Sequence, residues 1–505
     1  MLPKGWLKKN YLLVAFILAL VFSAFLHFRG LSGVTILDDD ESRAFVLQGS
    51  GPLIYFICRP VYLLSGRDQA SAFYIAALLG FFNIILFYLL CRKLFDKRLS
   101  MLSAIIYACY PLRMNYARTL YPAVFIESAF LLALLFLFSG LNTRKSWQGF
   151  VFGVSAVAIF FMHYSGYALV IALALAVTGL SLWRKHFSFS REFILGLVAG
   201  CFIPLVLIIW FWPGQDYLQQ VAQFMGRYKS YMTHTGTLLY FNRAIFQQML
   251  SSWQYIFISL FTAVSCLFVL VSLRVKRNKA LVLLLLIFCT ALFILQFATF
   301  LGAHPLNIRH IVWLVPLYSV CIAQLTFFLL SRRRAFVKIT AGVVLALFIC
   351  LTAYESYQIT AETFTLTPIK DWLKANNIPK RQVITSWWML NRAGEIDGVS
   401  LVPTAFQDNG GSFEFGILWP LVFEAYRKGS CKYILTSGIS GRFRLGEGDI
   451  MLKYVDPVMS WLHPYSKLKR RPFYEPQEVN ISLYRLDDVF SDWNISTIQL
   501  NAKRE

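Results

Sequence analysis

An all-helical polytopic membrane protein of about eleven spans, followed by a small α/β domain, is the fold class this sequence predicts. Three observations lead there. Hydrophobic residues fill 57% of the 505 positions and the mean hydropathy is +0.57, well outside the range of soluble domains. Eleven apolar stretches are long enough to cross a hydrocarbon core of about 30 Å: 11–28, 71–91, 99–115, 120–140, 147–163, 165–183, 193–212, 253–273, 280–301, 310–330 and 335–355. Basic clusters then fall in every second connection between them.

The first run follows Lys4, Lys8 and Lys9. It is long and no small-x-small cleavage site follows it, so it reads as an anchor and not as a signal peptide. The later clusters are Arg92/Lys93/Lys97/Arg98, Arg144/Lys145, Arg184/Lys185/Arg191, Arg274/Lys276/Arg277/Lys279 and Arg332/Arg333/Arg334/Lys338. The positive-inside rule places all of them on the cytoplasmic side. The N-terminus is then inside and the C-terminus outside. Much of the net charge of +22 is accordingly a topology signal, not the soluble basic face that nucleic-acid binding needs. Seven of the nine cysteines (Cys91, Cys109, Cys201, Cys266, Cys289, Cys321, Cys350) fall within predicted spans. Nothing in their spacing suggests a disulfide framework or a zinc pair.

The outward connections are the long and unusual ones. Loop 29–70 carries Asp38-Asp39-Asp40-Glu41, then Gly49-Ser50-Gly51-Pro52 and an apolar segment, 53–64, too short to span. Charge at a bilayer centre costs roughly 2.5–3.5 kcal/mol per group, so the acidic run lies outside the hydrocarbon. It reads either as a general base or cation site, or as a solvated acidic loop. Loop 214–252 is long and aromatic, with Tyr217, Phe224, Tyr228, Tyr231, Tyr240 and Phe241 interleaved with Arg227, Lys229 and Arg243. Inward connections are short and basic. The asymmetry says that the chemistry faces out.

Beyond residue 360 the composition becomes that of a soluble domain, giving a division into 1–358 and 359–505. Thr367-Pro368 opens an amphipathic helix that ends near Asn377. Strands are predicted at Gln382–Ser386, Lys432–Thr436 and Ile481–Leu486, with a second helix near 416–428.

Polar residues recur at the outward ends of the spans. The third run leads into Tyr110-Pro111-Leu112-Arg113-Met114-Asn115-Tyr116-Ala117-Arg118-Thr119-Leu120-Tyr121-Pro122. His163 and Tyr164 separate the fifth and sixth runs, and His304, Asn307, Arg309 and His310 open the tenth, which holds Pro316. Singly, each has a dull account: arginines snorkel, tyrosines sit in the interfacial belt, and a lone histidine is hydrogen-bonded. Together they suit a substrate with a lipid tail, a phosphate and a polar head. Glu127 stands apart, inside the fourth run, where a carboxylate either serves function or pairs with a buried Arg or Tyr.

The order of these features resembles the GT-C superfamily of membrane glycosyltransferases, in the branch of protein O-mannosyltransferases and the lipid A aminoarabinose transferase. The residues that carry the resemblance are Asp40-Glu41 with Ser42-Arg43-Ala44, Gly66-Arg67 through Ala70-Ser71-Ala72, and Cys91-Arg92-Lys93-Leu94-Phe95. Further along come Pro111, Tyr116-Ala117-Arg118, and Arg309-His310 with Pro316; the resemblance covers roughly 10–355. Two departures stand out. Ser50-Gly51-Pro52 replaces the Lys-Pro-Pro of many members, and Ala123 follows Pro122 where many carry an acid, with Glu127 one turn deeper.

The resemblance implies transfer of a sugar from a polyprenyl-phosphate donor to a lipid, glycan or protein acceptor, at the outer face of a bacterial inner membrane. On it, Asp40 is the base, Glu41 orients the base or the acceptor, and Asp39, Tyr116, Arg118, Glu127, His163, His304, Arg309 and His310 line the substrates. No cofactor is implied for certain, and a divalent metal stays open. The competing classes are a transporter or lipid flippase, and a surface-polysaccharide polymerase or ligase with a diphosphate donor. Against the first, no inverted repeat and no matched pair of broken helices is visible.

Overall fold

The computed structural model describes residues 6–31, 52–66, 69–141, 145–182, 189–211, 242–243, 252–273, 279–301, 308–361, 367–379, 382–385, 419–439, 459–463 and 479–491. Every one of the eleven apolar runs falls on helix. The helices are α1 (Trp6–Phe28), the short α2 (Pro52–Leu64), α3 (Gln69–Leu94), α4 (Lys97–Cys109), α5 (Pro111–Ala117), α6 (Pro122–Gly140) and α7 (Ser146–Met162). They continue with α8 (Tyr167–Leu182), α9 (Arg191–Phe211), α10 (Trp253–Ser272), α11 (Lys279–Phe300), α12 (Val315–Leu330) and α13 (Ala335–Ala361). Among the described residues seven helical segments are long and apolar enough to cross a membrane: Asn10–Phe28, Ala70–Leu94, Pro122–Gly140, Trp253–Ser272, Leu281–Phe300, Arg309–Leu330 and Ala335–Thr360.

The sequence treats 99–115 as one run, and the structure breaks it. Pro111 has no N–H, and its ring drives the preceding residue out of the helical region. Tyr110 is accordingly extended (φ −71°, ψ 119°), ending α4 and starting α5. The same chemistry repeats at Tyr121 (φ −62°, ψ 143°), the residue before Pro122 and α6. The start of α4 is fixed by Asp96, whose Oδ1 accepts from the backbone N–H groups of Arg98 (2.8 Å) and Leu99 (3.1 Å), a side-chain N-cap.

Contacts divide the chain into two units, 1–29 with 47–57 and 73–361, and 30–46 with 58–72 and 362–505. In the first unit α7 packs between α6 and α9, α12 lies against α4, α10 and α13, and α1 lies against α4. Glycines bring α7 and α9 together. A Cβ on Gly149 would stand 2.0 Å from the Phe193 carbonyl oxygen, and one on Gly153 2.6 Å from that of Leu197. Seen from the other helix, Gly196 and Gly200 meet the carbonyls of Ser146 (1.8 Å) and Phe150 (2.1 Å). Each helix thus presents small residues at i and i+4. That spacing permits backbone contact where apolar lipid offers no hydrophobic drive for association.

The second unit holds α14 (Thr367–Ala375), β1 (Val383–Thr385), α15 (Trp419–Arg427), β2 (Tyr433–Ile439), β3 (Met459–His463), β4 (Val479–Arg485) and α16 (Leu486–Ser491). The strand order is β1-β2-β4-β3, with β1 parallel to β2 and the other pairs antiparallel. Sequence reading finds β1, β2, β4 and both longer helices and misses β3. Ile384, Val422, Ala425, Cys431, Ile434, Leu486 and Val489 form its core. Asn377 ends α14 in the left-handed region (φ 55°), with Ile378 N–H bonded to the Leu373 carbonyl at 2.8 Å.

Because the atoms facing Gly149 and Gly200 are backbone, neither helix can yield locally to a new methyl group. Gly149→Ala or Gly200→Ala should destabilise the detergent-solubilised chain by about 1–3 kcal/mol, the cost of overpacking, read as a lowered Tm. Gly179→Ala on α8, with nothing within 4 Å of its Cβ, should leave Tm unchanged or raise it.

Candidate functional site

The segment between the two proline breaks organises the polar interior. Breaking the helix at Pro111 frees the Cys109 carbonyl, and Ser356 Oγ of α13 donates to it at 2.8 Å. Tyr110 Oη lies 3.2 Å from Thr262 Oγ1 of α10. Because Thr262 gives its own proton to the Ile258 carbonyl (2.7 Å), the tyrosine is the donor. On α3, Gly80 makes room for the end of α5: a Cβ there would stand 2.7 Å from Ala117 Cβ.

Arg113 of α5 is only 1% exposed and Glu127 of α6 likewise 1%. Arg113 Nε stands 3.9 Å from Glu127 Oε2, and its guanidinium carbon 4.4 Å from the Tyr107 ring centre. Asn83 Nδ2 of α3 donates to Glu127 Oε2 and to the Val124 carbonyl, both at 3.4 Å. At 3.9 Å the charges attract without the closer approach of about 2.7–2.9 Å that a charge-assisted hydrogen bond has. The pair sets the two charges against each other, yet among the described residues none of the three Arg113 nitrogens, and no donor to Glu127 Oε1, completes a hydrogen bond, so the arrangement satisfies them only in part.

A second group gathers around His163 and His310. His163 lies between α7 and a 3-10 turn (Tyr164–Gly166), and its Nδ1 contacts Ser165 Oγ at 2.7 Å and accepts from Ser165 N–H at 3.1 Å. An accepting Nδ1 puts the proton of a neutral ring on Nε2. The ring stacks on His310 (centres 5.9 Å apart, planes 26°). Arg309 Nε donates to His310 Nε2 at 3.4 Å, and its guanidinium lies 5.2 Å from the Tyr121 ring centre. Tyr116 meets Tyr121 edge-on at 5.7 Å. Both Arg309 and His310 belong to a 3-10 segment (Ile308–Leu314) that packs on α5 and α6, and Trp313 Nε1 fixes it by donating to the His310 carbonyl.

Of the residues the sequence singles out, Tyr116, His163, Arg309 and His310 thus meet in one cluster. Glu127 sits in the separate buried pair. Arg118 has a different set of contacts: Nη1 donates to the Thr360 carbonyl (2.8 Å), Nε to that of His27 (3.3 Å) and Nη2 to that of Arg29. Asp39, Asp40, Glu41 and His304, with most of the aromatic loop 214–252, lie outside the described residues. Within the polar core, sequence reading passes over Asn83, Tyr107 and the role of Arg113. A lone Asn in the apolar run 71–91 was the available signal for the first. Among the described residues no three His, Cys, Asp or Glu side chains converge as a metal site requires.

Residues 49–212 match the family described as dolichyl-phosphate-mannose-protein mannosyltransferase. No curated protein matches the chain by sequence. In fold, the chain is similar to ArnT from Cupriavidus metallidurans. The form bound to undecaprenyl phosphate gives a TM-score of 0.54 at 11% identity, over 94% of this chain and 98% of that one. The apo form of the same protein gives 0.53 at 10% identity over the same shares. The apo oligosaccharyltransferase of Archaeoglobus fulgidus gives 0.47 at 15% identity, over 85% of this chain and 70% of that one. The resemblance to GT-C enzymes read from the ordered motifs is upheld by the family match and by the ArnT fold. The chain is a multi-pass membrane protein that shares the ArnT fold over 94% of its length, and its residues 49–212 match the mannosyltransferase family.

The buried pair generates a test in which two single changes and their combination move in opposite directions. Arg113→Ala or Glu127→Ala leaves one charge buried and unpaired, a loss of about 3–5 kcal/mol. Replacing both, as Arg113→Met with Glu127→Leu, removes both charges and should recover much of that loss. Thermal denaturation of the three variants in detergent checks this, and a double variant less stable than either single one contradicts it.

Proposed function

We propose that the chain moves a sugar from a polyprenyl-monophosphate donor to an acceptor hydroxyl at the outer face of a bacterial inner membrane, inverting the anomeric carbon. The observation that carries this reading is the meeting of Arg309, His310, His163 and Tyr121 from three separate segments of the bundle. A guanidinium set among aromatic rings and imidazole N–H groups suits a lipid phosphate that gains negative charge as the sugar leaves. That leaving group is an anion already and needs no proton, so one base is enough.

In this reading Asp40 takes the acceptor's proton and Glu41 orients the base or the acceptor, with Asp39 beside them. His304, five positions before Arg309 in the sequence, is a further substrate-binding residue. Arg309 holds the donor phosphate, and the rings of Tyr116 and Tyr121 flank the donor head. Glu127 enters through Arg113, which it holds in place on α5. The acceptor is a lipid, a glycan or a protein. Topology belongs to the same proposal: eleven spans, the N-terminus in the cytoplasm, and residues 359–505 as an extracytoplasmic α/β domain. The alternation of basic connections supports it.

Three measurements test the proposal. Arg309→Ala should weaken binding of undecaprenyl phosphate by about tenfold or more, the loss of one charge-assisted contact, with Arg309→Lys recovering part of it. Asp40→Asn keeps the shape and removes the basicity, so turnover should fall by about 10²–10⁴-fold in a chain that still folds. Near-normal turnover would remove Asp40 from the role. Thiols introduced near 145, 277 and 334 should resist impermeant reagents in whole cells while those near 225 and 400 react; labelling at 277 and 334 from outside would overturn the topology.

A further inference from the structure

Arg118 sits in the segment between the proline breaks, is 3% exposed, and donates from all three guanidinium nitrogens to main-chain carbonyls. Those carbonyls are not scattered. His27 is in the last turn of α1 and Arg29 follows it, while Thr360 is in the last turn of α13. The final carbonyls of a helix have no partner within it and carry the negative end of the helix dipole. One cation is therefore set against the negative ends of two helices, of 23 and 27 residues.

Its surroundings leave the guanidinium little freedom. Thr119 beside it is fully buried, with Oγ1 bonded to the Tyr116 carbonyl at 3.1 Å. Arg29, whose carbonyl Arg118 holds, lays its own side chain on the Tyr357 ring of α13 at 4.5 Å. The ends of α1 and α13 are thus joined twice, through Arg118 and through Arg29. What leaves these two ends is informative. The chain from α1 runs directly into the segment that carries Asp38-Asp39-Asp40-Glu41, and the chain from α13 runs into residues 362–505.

We infer that Arg118 is a positioning residue: it clamps the C-terminal ends of α1 and α13 and so fixes the point from which the acidic segment departs. This goes beyond the donor-site reading above and rests on it only for the task of the acidic segment. A guanidinium that holds helix-end carbonyls with Nε, Nη1 and Nη2 has a different signature from one that grips phosphate. Removing it loosens two helix ends and lowers turnover without changing donor affinity.

The full-length chain in detergent or nanodiscs carries the test, with undecaprenyl phosphate as the binding probe and Arg118→Met and Arg118→Lys as variants. For Arg118→Met we expect probe affinity within about twofold of the parent and amide exchange at 25–31 and 357–361 faster by about tenfold. Exchange in α7 and α9 should stay unchanged. kcat should drop while the donor KM holds, and Arg118→Lys should restore part of the protection, since an ammonium satisfies some of the carbonyls. Loss of probe binding by about tenfold with unchanged exchange would overturn the clamp and return Arg118 to the phosphate. Unchanged exchange with unchanged binding would overturn it too. Should Arg118→Met fail to fold, Arg118→Lys carries the same comparison. Arg309→Ala in the same binding assay reports on the donor site by itself, so failure of that reading is seen separately.

Discussion

A bilayer core offers no water to a backbone that leaves the helical path, so every freed group there has to find a partner inside the protein. The twelve residues Tyr110 to Tyr121 live under that constraint. Two prolines take them out of a continuous helix, and the bundle answers group by group. Ser356 takes the Cys109 carbonyl, Thr262 takes the Tyr110 hydroxyl, and Gly80 gives up a side chain to admit Ala117. The two arginines of the segment are held in opposite directions, Arg113 toward Glu127 and Arg118 toward the ends of α1 and α13. The segment is therefore locked from several sides, and Tyr116 and Tyr121 inherit that rigidity.

The rest of the bundle holds what the segment faces. His163 ends α7, and α7 is in backbone contact with α9 through Gly149, Gly153, Gly196 and Gly200. Arg309 and His310 are brought in by a short 3-10 stretch that Pro316 turns into α12, the proline standing in the first turn where its missing N–H costs nothing. Small residues thus set the helix separations, and prolines set where the polar ends fall. A site assembled from helix ends in this way has its groups placed by packing more than by local loop geometry.

Local rules made most of the helices legible. Hydropathy located all eleven runs, and the Pro at the start of α14 and the left-handed Asn377 at its end were both signalled by residue type. The break inside 99–115 was also written in the sequence, as Tyr110-Pro111. Hydropathy alone nonetheless makes it one run, because it continues across the proline. The strand β3 (Met459–His463) was missed because its pairing with β4 is not visible in so short a stretch. At the site, Glu127 was recognisable as needing a partner, but which of several arginines would meet it is a matter of tertiary packing. Arg118 shows the limit most clearly. Its residue type and family-like setting suggest a phosphate ligand, whereas it donates to carbonyls as far as 242 positions away along the chain, and carbonyls leave no mark in a sequence.

The central claim is that the cluster of Arg309, His310, His163 and Tyr121 is where a lipid phosphate binds. A density map of the full chain with undecaprenyl phosphate tests it most directly. The account predicts the phosphate within hydrogen-bonding distance of the Arg309 guanidinium, about 2.7–2.9 Å from a guanidinium nitrogen, with the isoprenoid tail leaving sideways between helices. A phosphate seated at the opposite end of the bundle, among the basic connections, would contradict it.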